Sequence, residues 1–147
     1  MPEPRITGYH HVALHVADID KSLAFWKKTF GLTEKLRWSL GDGRAAVMLD
    51  IGDGNYLEFF QAGPGHTFGS RDGGNADHAL AHVALRCVGI DALIEKVRGL
   101  GMTITMEPKT VDIDNVCPAT ASPTPVRIAF FIGPDGEIVE LFENELT

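Results

Sequence analysis

The sequence is short of cysteine, of positive charge and of long apolar runs, and each shortage excludes a class of protein. Cys87 and Cys117 are its only thiols. Two cysteines far apart in sequence build neither a disulfide scaffold nor a cysteine zinc knuckle, so both are expected to be reduced. The net charge of −7 with histidine neutral supplies no electrostatic drive toward nucleic acid or an anionic membrane surface. No run of apolar residues is long enough to cross a bilayer. The opening Met1-Pro2-Glu3-Pro4-Arg5 has no apolar secretory core. These shortages point to a cytoplasmic protein with neither nucleic acid nor membrane as partner. What is present suits one globular domain over residues 1–147, with 44% hydrophobic and 22% charged residues. A chain of this size buries roughly 70% of its unfolded surface.

The most informative feature occurs twice. Asp53-Gly54-Asn55-Tyr56-Leu57-Glu58-Phe59-Phe60 returns as Asp135-Gly136-Glu137-Ile138-Val139-Glu140-Leu141-Phe142. Upstream, His11-Val12-Ala13-Leu14 returns as His82-Val83-Ala84-Leu85. Each half thus has a histidine near its start and a glutamate near its end. Repeat one covers about 6–61, a linker about 62–78, and repeat two about 79–144.

Alternation predicts a strand over 6–16, with Val12, Leu14 and Val16 on one face and His11, Ala13 and His15 on the other. His10 then falls on the Val12 face. Asp18 is placed to cap a helix whose apolar stripe is Ile19, Leu23, Trp26 and Phe30, and Gly31 ends it. A hairpin is predicted over 33–50 around Gly41-Asp42-Gly43, then a strand over 56–60 after Asp53-Gly54. Residues 62–77 lack a periodic apolar pattern and read as the linker. The second half repeats the order: a strand over 80–88, then a helix with Ile90, Leu93, Ile94, Val97 and Leu100 on one stripe. A short strand over 102–106, a polar loop over 107–125 with room for part of another strand, and strands over 126–132 and 137–142 complete it. The fold class is therefore α+β: two βαβββ repeats forming a cupped mixed sheet with helices outside.

Glu58 lies between Leu57 and Phe59, and Glu140 between Val139 and Leu141. A carboxylate buried without a partner is costly, so each either faces solvent or has a partner. Strand parity puts His11, Glu58, His82 and Glu140 on the faces opposite the aliphatic residues, where all four can converge. Two neutral imidazoles and two carboxylates suit a divalent ion, with Ni, Zn, Co, Mn and Fe all compatible. A six-coordinate ion would keep two positions open for substrate; a closed four-coordinate zinc would be structural instead.

His11-Val12-Ala13-Leu14-His15-Val16-Ala17-Asp18, followed by Ser22-Leu23-Ala24-Phe25-Trp26, resembles the first strand and helix of the vicinal oxygen chelate superfamily. Phe131-Ile132-Gly133-Pro134-Asp135-Gly136-Glu137-Ile138-Val139-Glu140-Leu141 resembles its closing hairpin. The resemblance extends over nearly the whole chain. It implies one divalent metal on His11, Glu58, His82 and Glu140, and a homodimer. A glutamate at both hairpins is most similar to glyoxalase I. That implies a lyase or isomerase which transfers a proton through a metal-bound enediolate, with Glu140 or Glu58 as the catalytic base and Glu140 preferred. The substrate would be a small hydroxycarbonyl or a thiol adduct such as the hemithioacetal of glutathione and methylglyoxal. Bacterial glyoxalase I commonly has arginine where this sequence has His15, and Arg86 takes the equivalent place in the second half, so both are substrate-contact candidates. Two alternatives are an acyl-CoA epimerase of the methylmalonyl-CoA type and a non-catalytic binding protein of the resistance type. An iron dioxygenase is a further member activity, but it uses two histidines and one glutamate.

Overall fold

A computed structural model describes residues 2–66, 79–133 and 138–147. The element order is β1 (Arg5–Val16), α1 (Ile19–Phe30), β2 (Thr33–Gly41), β3 (Arg44–Gly52), β4 (Asn55–Gln61), β5 (Leu80–Val88), α2 (Ile90–Gly99), β6 (Thr103–Asn115), β7 (Ser122–Ile132) and β8 (Ile138–Glu143). In chain order this is βαβββ twice, an α+β fold, as the duplication predicts. Among the described residues no helix is long and apolar enough to cross a membrane. The linker residues 67–78, including His78, and the second Asp-Gly turn at 135–136 lie outside the described residues.

The compact units do not follow the repeat boundary. One unit comprises Met1–His11, His82–Ile113 and Pro123–Thr147; the other comprises Val12–Ala81 and Asp114–Ser122. The first half of β1 therefore belongs with the second repeat.

In the unit built mainly from the first repeat, α1 starts where its cap allows. Asp18 is extended and its side chain accepts from the Lys21 N–H at 3.1 Å. Gly31, with φ 67°, closes the helix by donating to the Lys27 carbonyl. The buried stripe of Ile19 and Leu23 packs with Val16, Val47, Leu49 and Phe59. Each such side chain contributes about 1.5–3 kcal/mol of burial free energy. Strands β2, β3 and β4 are antiparallel, with Met48 opposite Glu58. Asp53 and Gly54 both have positive φ, 52° and 70°, the backbone of a tight two-residue hairpin turn. Because Leu57 and Phe59 face α1, Glu58 points to the other side of β4, and it is buried. Segment 114–122 covers β2: Asn115 Oδ1 accepts from the backbone N–H groups of Arg37 and Cys117, both at 3.1 Å. The Cys117 thiol donates to the Glu34 carbonyl at 3.3 Å.

In the other unit β5 and β8 are parallel while β7 and β8 are antiparallel, so the strand pairing is mixed. The strand order there runs β5-β8-β7-β6, with β1 beside β5. Helix α2 packs Ile90 and Ile94 onto Cys87, Ala129 and Leu141. Its N-terminus receives a carboxylate from β8: Glu143 accepts from the N–H groups of Gly89 at 2.9 Å and Ile90 at 3.4 Å. Both cysteines are free and buried. Burial, with Glu143 nearby, pushes the Cys87 thiol up to about 12.

The polar loop expected over 107–125 is instead mostly strand. Strand β6 continues from Thr103 to Asn115 and β7 begins at Ser122. The physical reason is that β6 ends the strand order, and an edge strand accepts Pro108 and a polar outward face.

Candidate metal centre

Three strands of one unit each bring one donor side chain to a common point. His11 comes from β1, His82 from β5 and Glu140 from β8. The register is direct: Ala84 pairs with Glu140 in the parallel ladder, and His82, two residues before Ala84, shares its face. On the opposite face Leu141 and Cys87 join the core under α2. All three donors are buried, His11 completely.

The three atoms form a nearly equilateral triangle. His11 Nε2 is 2.9 Å from His82 Nε2, and each of these nitrogens is 3.0 Å from Glu140 Oε2. Hydrogen bonds alone cannot satisfy all three edges. Each Nε2 carries at most one hydrogen in the ring plane. If both imidazoles donate to the carboxylate, their N–H groups converge on one oxygen and leave two nitrogens crowded at 2.9 Å with no bond between them. If one imidazole donates to the other, the acceptor nitrogen faces the carboxylate without a hydrogen. A cation bound by all three donors removes the conflict. The edge length also fits: metal–ligand bonds of about 2.1 Å at right angles put neighbouring donors about 3.0 Å apart, against about 3.4 Å for tetrahedral sites. The set therefore suits three neighbouring positions of an octahedral divalent ion, and mixed N/O donors do not select among Ni, Zn, Co, Mn and Fe.

The electrostatics agree. Burial alone raises the Glu140 carboxyl, but the neighbouring His11 and His82 imidazoles outweigh it and hold the group below its ordinary value. The His11 ring is held in turn. Its Nδ1 lies 2.7 Å from Nδ1 of His10, which is also completely buried. Strand parity places these neighbours on opposite faces, yet their rings meet, because Nδ1 lies close to the backbone while Nε2 points away. His10 Nε2 reaches Thr147 Oγ1 at 2.6 Å, and Phe142 packs on the His10 ring with centroids 4.1 Å apart. Burial, with His11 and Arg86 nearby, lowers His10 to about 2.

The other residues singled out from the sequence are each described within their own unit. Glu58 is buried in β4 of the other unit, at 4% exposure. His15 also belongs to that unit, with its ring 4.6 Å from that of His66 and 6.2 Å from that of Phe60. Arg86 donates from its guanidinium to the Tyr9 carbonyl at 3.2 Å. Sequence reasoning gave no role to His10, Asn144 or Thr147. The adjacent pair His10-His11 was the available signal, but parity argued against their contact.

Comparisons with known proteins bear on this geometry. The model of the Glyoxalase/Bleomycin resistance protein/Dioxygenase superfamily matches residues 8–141. A search of curated proteins gave no match. Among solved structures, a hypothetical protein from Bacillus halodurans C-125 is 18% identical with a TM-score of 0.65, covering 99% of this chain and 98% of its own. Methylmalonyl-CoA epimerase from Mycobacterium tuberculosis is 20% identical with a TM-score of 0.67, covering 95% of this chain and 89% of its own. A variant of Streptomyces coelicolor methylmalonyl-CoA epimerase in complex with 2-nitronate-propionyl-CoA has the same identity and TM-score, covering 95% and 99%.

Proposed function

Because this chain belongs to the Glyoxalase/Bleomycin resistance protein/Dioxygenase superfamily, we propose that it is a metal-dependent isomerase or lyase of glyoxalase type. It would move a proton between carbons next to a carbonyl. The observation that carries this reading is the triangle of His11, His82 and Glu140, which needs a cation to satisfy its three edges. A divalent ion held there supplies Lewis-acid polarisation of the substrate oxygens.

Glu140 is the proposed base. Its carboxyl is held below the ordinary value, a direction that favours the ionised, proton-accepting form. The substrate C–H bond breaks, its proton moves to the carboxylate and its electron pair is delocalised toward the adjacent carbonyl; the proton then returns to the neighbouring carbon while the hydroxyl proton passes to the former carbonyl oxygen. Glu58 is proposed as a fourth ligand on the duplication alone, being the counterpart of Glu140 in the first repeat. His15 and Arg86 are proposed to contact a hydroxycarbonyl or thiol-adduct substrate. By the same resemblance the protein is proposed to work as a homodimer.

A second reading is epimerisation of an acyl thioester by the same proton transfer. It draws on fold neighbours described as methylmalonyl-CoA epimerases, one in complex with methylmalonyl-CoA. One experiment separates the two. Purified protein is assayed for metals, reconstituted, and incubated in D2O with methylglyoxal plus several thiols, and separately with acyl-CoA thioesters. Formation of a hydroxyacyl thioester supports the first reading. Exchange of the acyl α-hydrogen without net isomerisation supports the second. Absence of bound metal, or full exchange retained in Glu140→Gln, refutes the proposed chemistry.

A further inference from the structure

The donor triangle has a support that neither the duplication nor the family match assigns. We propose that His10 is a positioning residue: the chain Asn144–Thr147–His10 fixes His11 in the tautomer whose Nε2 lone pair faces the metal. The proposal rests on the metal reading above and deepens it.

The polarity of this chain follows from one backbone group. The Thr147 N–H donates to Asn144 Oδ1 at 3.1 Å, which identifies that atom as the acceptor. Thr147 Oγ1 lies 2.8 Å from the same oxygen, so the hydroxyl must give its single hydrogen there. Thr147 Oγ1 can then only accept from His10 Nε2, 2.6 Å away, so His10 carries its ring hydrogen on Nε2. The bare His10 Nδ1 must accept across the 2.7 Å contact with His11 Nδ1. His11 therefore carries its hydrogen on Nδ1, and its Nε2 keeps a lone pair aimed at the triangle. Reversing any link leaves two lone pairs or two hydrogens opposed. With His10 and His11 completely buried, solvent offers no cheap substitute.

Outer partners of this kind fix ring orientation and ligand basicity, and losing one costs typically 10–100-fold in metal affinity. The one departure from common practice is that the partner of the ligand is a second imidazole, which must itself be held in the correct tautomer. That requirement gives Thr147 and Asn144 their role.

The test titrates Co(II) into wild type, Thr147→Val, Thr147→Ser and His10→Phe, following the visible Co(II) spectrum. Thermal melts of the metal-free proteins run alongside. Thr147→Val keeps shape and removes the hydroxyl; its Co(II) dissociation constant is expected to rise about 10-fold or more, with Thr147→Ser restoring the wild-type value. A purely structural role would lower the melting temperature of Thr147→Val but leave Co(II) affinity and spectrum unchanged, and that result overturns the proposal. Histidine 15N spectra report the tautomer directly, with His10 expected as Nε2–H and bare at Nδ1. A His10 protonated at Nδ1 overturns the proposal in metal-free and metal-loaded protein alike. If wild type binds no Co(II), both the metal reading and this proposal fall. If wild type binds and Thr147→Val binds equally, this proposal falls alone.

Discussion

The strongest test of the donor triangle is metal-linked stability and its loss in Glu140→Gln. A ligand that binds the folded state alone stabilises it by RT ln(1 + [L]/Kd), about 2.7 kcal/mol at 100 times Kd. For a chain near this length each kcal/mol moves the melting temperature by about 2–4 °C, so saturating metal is expected to raise it by roughly 5–11 °C. Glutamine at position 140 removes the single carboxylate of the triangle and its charge. Loss of an outer partner alone costs up to about 100-fold in affinity, and loss of a direct ligand costs at least that. At the same metal concentration the variant then sits near its own Kd, leaving about 0.4 kcal/mol and a shift of roughly 1–2 °C. The assay is differential scanning fluorimetry or circular dichroism with Zn, Ni, Co and Mn in turn. Mg serves as a control, because it disfavours imidazole donors. An unmoved wild-type melting temperature with every metal, or an equal shift in Glu140→Gln, would refute the argument built on the 2.9 and 3.0 Å edges.

Two further outcomes test the fold of the unit that contains β2. Asn115→Ala removes the acceptor for the Arg37 and Cys117 N–H groups and the donor to the Thr120 carbonyl; urea unfolding should show a loss of about 2–3 kcal/mol, at about 1 kcal/mol per bond. Glu34 is held below the ordinary carboxylate range chiefly by its hydrogen bond to Arg37, so its contribution is present at neutral pH. That contribution diminishes as pH falls below the unfolded-state value and is gone below the folded one; Glu34→Gln should therefore show a shallower acid limb in stability measured against pH.

The architecture, and the three donors that meet in one unit, could be read from the sequence, because duplication and strand parity are both visible in the residue pattern. His11 and His82 repeat within the same four-residue context, and Glu140 interrupts an apolar strand. Asp18 and Gly31 marked the ends of α1 because capping chemistry depends on neighbours in sequence. Strand β6 was not legible beyond residue 106. Its inward positions Ile104, Met106, Pro108, Val111 and Ile113 alternate imperfectly with exposed polar residues, and a proline in such a run argues for a loop. The edge position that permits it is a tertiary fact. The His10–Thr147 contact was illegible for a similar reason, since 137 residues separate the pair and neither carries a motif.

The division of the chain between its two compact units has a temporal consequence. Each unit is discontinuous: one needs 114–122 to cover β2, and the other takes the first half of β1 and waits for residues beyond 82. A ribosome that has released the first repeat has therefore made neither unit complete. His11 emerges early but meets His82 only 71 residues later, and its last tie, through His10, closes after Thr147 is made. Such distant pairings make for slow closure. During synthesis His11 and His82 are thus both made well before Glu140, and the three donors can meet only once β8 has been made.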